Sequence, residues 1–528
     1  MIAAGHSIAQ IPKAIISMDE GDYKTLFSRD VFNDEFLPAK FKFNGTAWND
    51  VEIRFKGKSK RYFPKKSFRI KFPKKHLFNG VRHINLHAMY NDRSFLVEKL
   101  AYDLFHEMNL LAPDAGYIQL NINQQSHGVY LLVDRVNADF LKLRGRTAST
   151  LYNTDGLYAL ADLTEQSEDL LKLYYPKEIG DTNDYVDLKN LIYNLNRTPD
   201  STFESVMNGL FDMKSVYNWL AGNIVMMMGD SYNKNYYLYR DESRKINQWS
   251  IIPWDYDIAF GQSGDLARPY PNSILNDGFS YTFPPLSGPD NVLKNRFWAI
   301  PGMHDKLRLR VDTLLHTVFT EEHLFPRIDS LTALISEEVN QDTLKRGTFQ
   351  DYLDNVEAVK KFIACRKNFL LKTFIHQPGG TFNMVTLPIE EKNFNYHFVE
   401  VDGRTIATMR FTNLTRLDSV LIIAHADMLP PGLNAASRCV KRWLEIVPFP
   451  SNAAFSARLE WQYRDVSSTD REVGAAVKDE RDLQLFFSDG KKNEQLDAKL
   501  NPFSNCVVID SINEQQCGYG KYFFLALP

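Results

Sequence analysis

The residues best suited to chemistry lie together between Met226 and Gly261, in the stretch MMMGDSYNKNYYLYRDESRKINQWSIIPWDYDIAFG. Asp230 and Asn235 form a D-x-x-x-x-N spacing, and Asp255 and Asp257 flank Tyr256 in WDYD. Carboxylates and an amide are hard oxygen donors of the kind that hold Mg²⁺ against phosphates, and a nearby carboxylate can orient an attacking hydroxyl. The set therefore fits phosphoryl transfer, with Asp230 as the catalytic residue and Asn235, Asp255 and Asp257 as metal ligands. A plainer reading stands beside it: Asp230 and Asn235 as turn residues, and Asp255 as the partner of an arginine. Two acids flanking one tyrosine behind an apolar strand are costly, however, unless a cation sits between them.

These residues need elements that bring them together. The segment SVYNWLAGNIVMMMGD reads as a helix with Val216, Trp219, Leu220, Ile224 and Met227 along one stripe, ending near Gly229. A strand Tyr236–Arg240 then turns through DESRKINQ and returns as Trp249–Pro253. Such a hairpin folds the loop of Asp255 and Asp257 back beside Asn235.

A counterpart to the acids lies upstream. Between Glu52 and Asp92 there is no acidic residue, while twelve Lys or Arg fall in that interval, so the segment presents a local cationic surface. In RFKGKSKRYFPKKSFRIKF, Gly57 and Ser59 mark a tight turn whose N–H groups can approach phosphate. Lys66, Arg69 and Lys71 belong to an alternating strand and can reach an anion at one sheet edge. The competing reading is a solvated basic face, which most charge runs are. His83 and His87 lie in RHINLHAMYND, which does not read as a helix, so they read as structural or exposed rather than as a metal pair. Asp92 and Ser94 precede an amphipathic stretch and read as its cap.

The rest of the chain supplies the frame. Residues from about 12 to 135 read as strands and turns around one helix, SFLVEKLAYDLFHEMNLL, and so as an α+β half built on an antiparallel sheet. Residues from about 160 to 375 read as mainly helical, and HQPGG at His376–Gly380 reads as a break. Beyond it, strands such as RTIATMRFTNLT, KRWLEIVPF, FSARLEWQYRD and KYFFLALP alternate with turns in the manner of a β-sandwich. The 528 residues are long enough for several packed cores. The net charge of -3 gives no global pull toward nucleic acid. No apolar run approaches the ~18 residues that would span a bilayer. Cys506 and Cys517 read either as a bridge in an oxidising compartment or as two isolated thiols. The start, MIAAGHSIAQIPKAI, has no basic stretch followed by an apolar one, which leaves cytoplasmic residence and prior removal of a leader both open.

With these residues in view, the sequence resembles the CotH (spore coat protein H) kinase family, an atypical branch of the protein-kinase-like fold. The matching features, in order, are RFKGKSKRYFPKKSFRIKF, NDRSFLVEKLAYDLF, HGVYLLVDRVNADFL, GDSYNKNYYLYRD and IIPWDYDIAFG. The D-x-x-x-x-N spacing is that of a kinase catalytic loop, although HRD, DFG and GxGxxG are all missing. The resemblance implies a kinase-like domain over about residues 10–378, with a sheet-rich lobe to about 160 and a helical lobe from about 161, followed by an immunoglobulin-like β-sandwich at 381–528. It implies ATP- and Mg²⁺-dependent (or Mn²⁺-dependent) phosphorylation of Ser or Thr in a protein substrate, at an extracellular or cell-envelope location. Asp230 matches the family's catalytic Asp, Asn235 a metal-site Asn and Asp255 a metal-binding Asp, while Lys66 is the choice for the phosphate-binding Lys, with Lys65 or Lys71 as alternatives. Asp134 stands where the family usually shows Glu, Lys58 where it shows the first of two serines, and Val97 where members often carry Arg. Two other functions compete: a nucleotide-sugar transferase using WDYD as its DxD motif, and a non-catalytic adhesin or coat-assembly protein whose sandwich binds a surface partner.

Overall fold

The computed structural model describes residues 10–528 apart from 155–158, 243–246, 262–285, 287–288, 376–380, 400–404, 427–428, 432, 434–437, 451–452, 464–471, 474–476, 478, 503 and 519. The HQPGG break thus lies outside the described residues. The chain divides into two compact units, one running to Leu371 and the other from Lys372 to Pro528.

In the first unit, the alternating segments form β1 (Lys13–Ser17), β2 (Leu37–Phe43), β3 (Thr46–Lys56), β4 (Ser67–Lys71), β5 (His83–His87), β6 (Ala115–Ile122) and β7 (Gln125–Asp134). They close into a barrel in the order β1-β2-β3-β4-β5-β7-β6. This corrects the antiparallel sheet expected from sequence: β1 pairs antiparallel with β2 but parallel with β6, and that second pairing removes the open edges. Pairs across long loops leave no local signal. Two-residue turns join neighbouring strands, Asn44 and Gly45 between β2 and β3 and Asn123 and Gln124 between β6 and β7, all at positive φ. Phe68, Ile70 and Phe72 point inward and are buried, with Phe41, Trp48 and Ile53 in the same core.

Two helices accompany the barrel, where one was expected. The short α1 (Glu20–Ser28) is capped by Asp19, which accepts from Gly21 N at 2.9 Å. The helix α2 (Val97–Glu107) is the amphipathic one, and Asp92 caps it through Val97 N at 2.8 Å. After α3 (Ala138–Leu143), four strands form a second antiparallel sheet: β8 (Thr150–Asn153), β9 (Lys177–Ile179), β10 (Tyr236–Arg240) and β11 (Trp249–Pro253), in the order β11-β10-β8-β9. The part expected to be mainly helical thus holds the expected β10–β11 hairpin within a larger sheet that β8 and β9 complete.

Around it run α4 (Glu168–Tyr174), α5 (Val186–Arg197), α6 (Asp200–Leu210), α7 (Met213–Met226), α8 (Val292–Ala299), α9 (Pro301–Leu315), α10 (Glu321–Gln341) and α11 (Phe349–Leu370). The helix α7 packs against α9, α2, α11 and β11. It buries almost its whole circumference rather than one stripe, as a helix apolar on all sides must. It also stops earlier than expected, at Met227 with φ 53°, so that Gly229 begins a separate turn.

The second unit is two antiparallel sheets over one core. Its strands are β12 (Thr381–Pro388), β13 (Asn395–Val399), β14 (Thr405–Thr415), β15 (Ser419–Ala426), β16 (Cys439–Phe449), β17 (Ala454–Gln462), β18 (Gln484–Ser488), β19 (Asn493–Leu496), β20 (Lys499–Asn501), β21 (Cys506–Asn513) and β22 (Tyr522–Ala526). The orders are β12-β15-β16-β22-β18-β19 and β13-β14-β17-β21-β20. Phe398, Met409, Leu459 and Trp461 of one sheet share a core with Ile422, Leu444, Ile446 and Phe523 of the other. Cys506 and Cys517 are both buried free thiols.

Candidate active site

Strands β10 and β11 pair in register from Tyr236 opposite Pro253 to Arg240 opposite Trp249, so the hairpin returns the chain to where it began. Trp254 N donates to Asn235 O at 3.1 Å, which sets the loop of Asp255 and Asp257 directly beside Asn235. Asn235 and Asp255 both adopt left-handed backbone, at φ 61° and 57°. Residues with a side chain take that conformation at a cost, and such positions cluster at functional sites. Asp230 sits in the 3-10 turn Gly229–Ser231 after α7. Asn235 Nδ2 donates to the Asp230 carbonyl at 2.9 Å and to its Oδ2 at 3.1 Å, while Lys234 Nζ lies 3.0 Å from Asp230 Oδ1. The D-x-x-x-x-N spacing thus closes on itself.

The cation between the two acids of WDYD belongs to the chain. Lys60 Nζ lies 3.1 and 3.3 Å from the two carboxylate oxygens of Asp255 and 2.6 Å from Asp257 Oδ2. Lys60 sits in the 3-10 turn Ser59–Tyr62, which follows Gly57 at φ 100°. Its neighbour Arg61 anchors that turn by donating to Val31 O at 3.0 Å and to Asp34 Oδ1 at 2.6 Å. Lys56, the last residue of β3, places its ammonium 5.2 Å from the centre of the Trp254 ring. Beneath them, Glu98 of α2 accepts from His87 Nδ1 at 2.8 Å and from Tyr102 Oη at 3.2 Å. Tyr102 Oη in turn accepts from Asp255 N at 3.2 Å.

These neighbours set the charge states. Burial works against an ionised Asp255, but the Lys60 and Lys56 ammonium groups outweigh it and hold the carboxyl below the usual range. Asp257 goes the other way: burial, with Asp255 and Glu98 adding to it against the pull of Lys60, pushes its carboxyl up to about 7. Burial also raises Asp230, with Lys234 opposing and Asp255 contributing. A carboxyl whose affinity for protons is raised is better suited to accepting one than an ordinary carboxylate. Burial lowers Lys56, with Asp255 and Glu98 opposing.

Of the residues singled out from sequence, Asp230, Asn235, Asp255 and Asp257 come together, and Gly57 and Ser59 shape the turn that presents Lys60. The basic strand contributes differently from expectation. Lys66 Nζ donates to Arg61 O at 2.6 Å and faces the Phe55 ring. Arg69 Nε donates to Asn85 Oδ1 at 3.1 Å, and Lys71 pairs with Glu52 at 2.6 Å. Asp134 pairs with Arg144 at 2.6 Å and accepts from Asp114 N. The ammonium at the acidic pair is therefore that of Lys60, and the carboxylates acting on Lys56 are Asp255 and Glu98 rather than Asp134. Lys66 is held by a carbonyl of the turn, while Lys60, on the turn itself, faces the acids. Of its two readings, structural or exposed, His87 takes the structural one: it is buried and pairs with Glu98. The sequence did carry one sign of Glu98 and Tyr102: they are polar groups four apart on the buried face of an amphipathic helix.

The oxygens of Asp255 and Asp257 converge on one positive charge, with Asn235 brought alongside by the Trp254 N–H bond and its amide joined to Asp230. That hard donor set fits Mg²⁺. Among the described residues no group of three or more His, Cys, Asp or Glu gathers as a metal cluster. A cation held by two carboxylates and an amide keeps positions for water and phosphate oxygens, as Mg²⁺ ordinarily does.

The architecture is α+β, with an oxygen-rich loop site facing a lysine-bearing turn. The family described as CotH kinase protein matches residues 53–370, more than half of the sequence, and the chain belongs to that family. Among its relatives, the inner spore coat protein H of Bacillus subtilis (strain 168) is 28% identical over 346 residues, covering 65% of this chain and 92% of that protein. The invasin CotH3 of Rhizopus delemar is 26% identical over 227 residues, 40% of this chain and 37% of the invasin. An inner spore coat protein H-like protein of Bacillus subtilis is 24% identical over 310 residues, 58% of this chain and 84% of its own length.

Proposed function

We propose that this protein is a phosphotransferase on an atypical kinase-like fold, using ATP and Mg²⁺ to phosphorylate Ser or Thr of a protein substrate. The observation that carries the reading is the meeting of Asp255 and Asp257 on the Lys60 ammonium, with Asp230 and Asn235 joined to them through the hairpin. In this reading Asp230 orients the acceptor hydroxyl and receives its proton, and the burial-raised carboxyl is matched to that task. Asn235, Asp255 and Asp257 would hold Mg²⁺, which when bound neutralises charge on the phosphates. Lys60 and Lys56 supply positive charge for phosphate oxygens, and the turn after Gly57 offers backbone N–H groups to them. Glu98, His87 and Tyr102 position Asp255 without touching substrate. Membership of the CotH kinase protein family supports this reading. The names of the coat-protein and invasin relatives support work at a coat or cell surface, and no helix among the described residues is long and apolar enough to cross a membrane.

The test is a panel of nucleotides and metals scored by thermal shift on wild type and Asp255→Ala. Stabilisation follows RT ln(1 + [L]/Kd). Stabilisation by ATP with Mg²⁺ that disappears in the variant is expected. Stabilisation by UDP-sugars with Mn²⁺ and not by ATP would replace the kinase reading with a transferase one.

A further inference from the structure

We propose that Lys60 is a built-in counter-cation: its ammonium holds Asp255 and Asp257 together while no metal is bound, and a divalent cation must displace it from the same oxygens. This rests on the reading of the acidic pair as a metal site.

The geometry is that of one cation serving two anions. Both oxygens of Asp255 lie within 3.3 Å of Lys60 Nζ, and Asp257 Oδ2 lies at 2.6 Å. Carboxylates this close do not both ionise in a half-buried site without compensation. The nearby charges do not offer an equivalent. Lys56 is turned onto the Trp254 ring, and His87 is committed to Glu98. Mg²⁺ draws its oxygen ligands to about 2.0–2.1 Å, and the lone pairs it takes are those now accepting from Lys60. An ammonium and a divalent cation at one cluster of oxygens also repel. The two are therefore alternatives.

Lys60 has the means to yield. Its side chain is 32% exposed, against 13% for Asp257, and its stem is unbranched. The turn beneath it is fastened by Arg61, through Val31 and Asp34, so the Lys60 side chain can swing while the backbone stays in place. A nucleotide triphosphate supplies the displaced ammonium with new oxygens. Metal and nucleotide then favour each other, and Lys60 couples them, reciprocally as any coupling between two ligands is. The metal site is held closed until the phosphates arrive.

The experiment measures Mn²⁺ binding to the full chain by electron paramagnetic resonance, at pH 8 and without nucleotide. Wild type is compared with Lys60→Met, Lys60→Gln, Lys60→Arg and Asp255→Asn, each checked for folding by circular dichroism. Lys60→Met and Lys60→Gln are expected to bind Mn²⁺ at least tenfold more tightly than wild type. Lys60→Arg, which keeps the charge, is expected to bind as weakly as wild type, and Asp255→Asn to bind least. Unchanged Mn²⁺ affinity in the Met and Gln variants, with binding still dependent on Asp255, would overturn the competition and leave the metal site standing. Absence of Asp255-dependent binding in every protein would remove the metal site itself, and this proposal with it.

Discussion

The backbone N–H of Asp255 donates to the phenol oxygen of Tyr102 at 3.2 Å, tying the acidic loop to the buried face of α2. Tyr102 donates its own hydroxyl hydrogen bond to Glu98, which also accepts from His87. Asp255 therefore keeps its left-handed backbone because a hydrogen-bonded chain from β5 and α2 supports it from below. Tyr102→Phe leaves the Asp255 N–H and one Glu98 oxygen without this partner. The expected cost is about 1–3 kcal/mol of stability, measured by denaturant unfolding, together with a weaker thermal shift by ATP and Mg²⁺. Unchanged stability and ligand response would show that the chain does not position Asp255.

Lys60 and Lys71 lie in one basic run, yet their surroundings assign them different tasks. Lys60→Ala removes the charge facing Asp255 and Asp257 and is expected to weaken ATP binding at least tenfold by calorimetry, about 1.4 kcal/mol. Lys71→Ala loses its pair with Glu52, in which the Glu52 side chain is 43% exposed, and its contact with the Phe36 ring, and is expected to leave ATP affinity within about threefold.

A buried ion pair fastens the barrel to the end of α10. Lys65 Nζ lies 2.7 Å from Asp342 Oδ2, both side chains are fully buried, and the same oxygen accepts from Val129 N at 3.1 Å. Asp342→Ala leaves the Lys65 charge uncompensated, and a loss of about 3–5 kcal/mol in equilibrium unfolding is expected. Gly128 sits at φ 80°, where an added Cβ would collide with the Asp342 carboxyl. Gly128→Ala should be comparably damaging, whereas Gly45→Ala, also at positive φ but in open space, should cost far less.

Acid sensitivity has an identifiable contributor in His127. Burial, reinforced by Lys65, pushes its imidazole down to about 4, and the ring packs beside Phe27 and Phe68. The unfolded chain takes up this proton near pH 6.5 and the folded chain only near 4. The contribution to stability is thus fully present above about pH 6.5 and is lost as pH falls toward the folded value, by up to about 3 kcal/mol. His127→Leu should flatten the decline of melting temperature between pH 6.5 and 4. An unaltered slope would show that His127 is not the group responsible.

Local chemistry made part of this structure legible in the sequence. The Asn44–Gly45 turn, the alternation of Phe68, Ile70 and Phe72, the cap at Asp92 and the hairpin that carries Asp255 to Asn235 are all set by neighbours in the chain. The closure of the barrel was not legible, because the parallel pairing of Lys13–Ile16 with Gln119–Ile122 joins strands about a hundred residues apart. The pairing of His87 with Glu98 was not legible for a related reason, since a buried pair is recognised only once strand and helix meet. Lys60 was hidden by company: in a run of lysines nothing local marks the one that will face two carboxylates. Asp257 was read as a ligand like Asp255, and its opposite shift in acidity appears only when both share one ammonium.

The most direct measurement of the central claim is transfer of label from γ-³²P-ATP to protein, with Mg²⁺ present, by wild type, Asp230→Asn and Asp255→Asn. Wild type is expected to incorporate label, and both folded variants to fall by at least about a hundredfold, since the residues of such a unit act together. Normal labelling by either variant, or none by wild type across acceptor proteins and its own chain, would contradict the account.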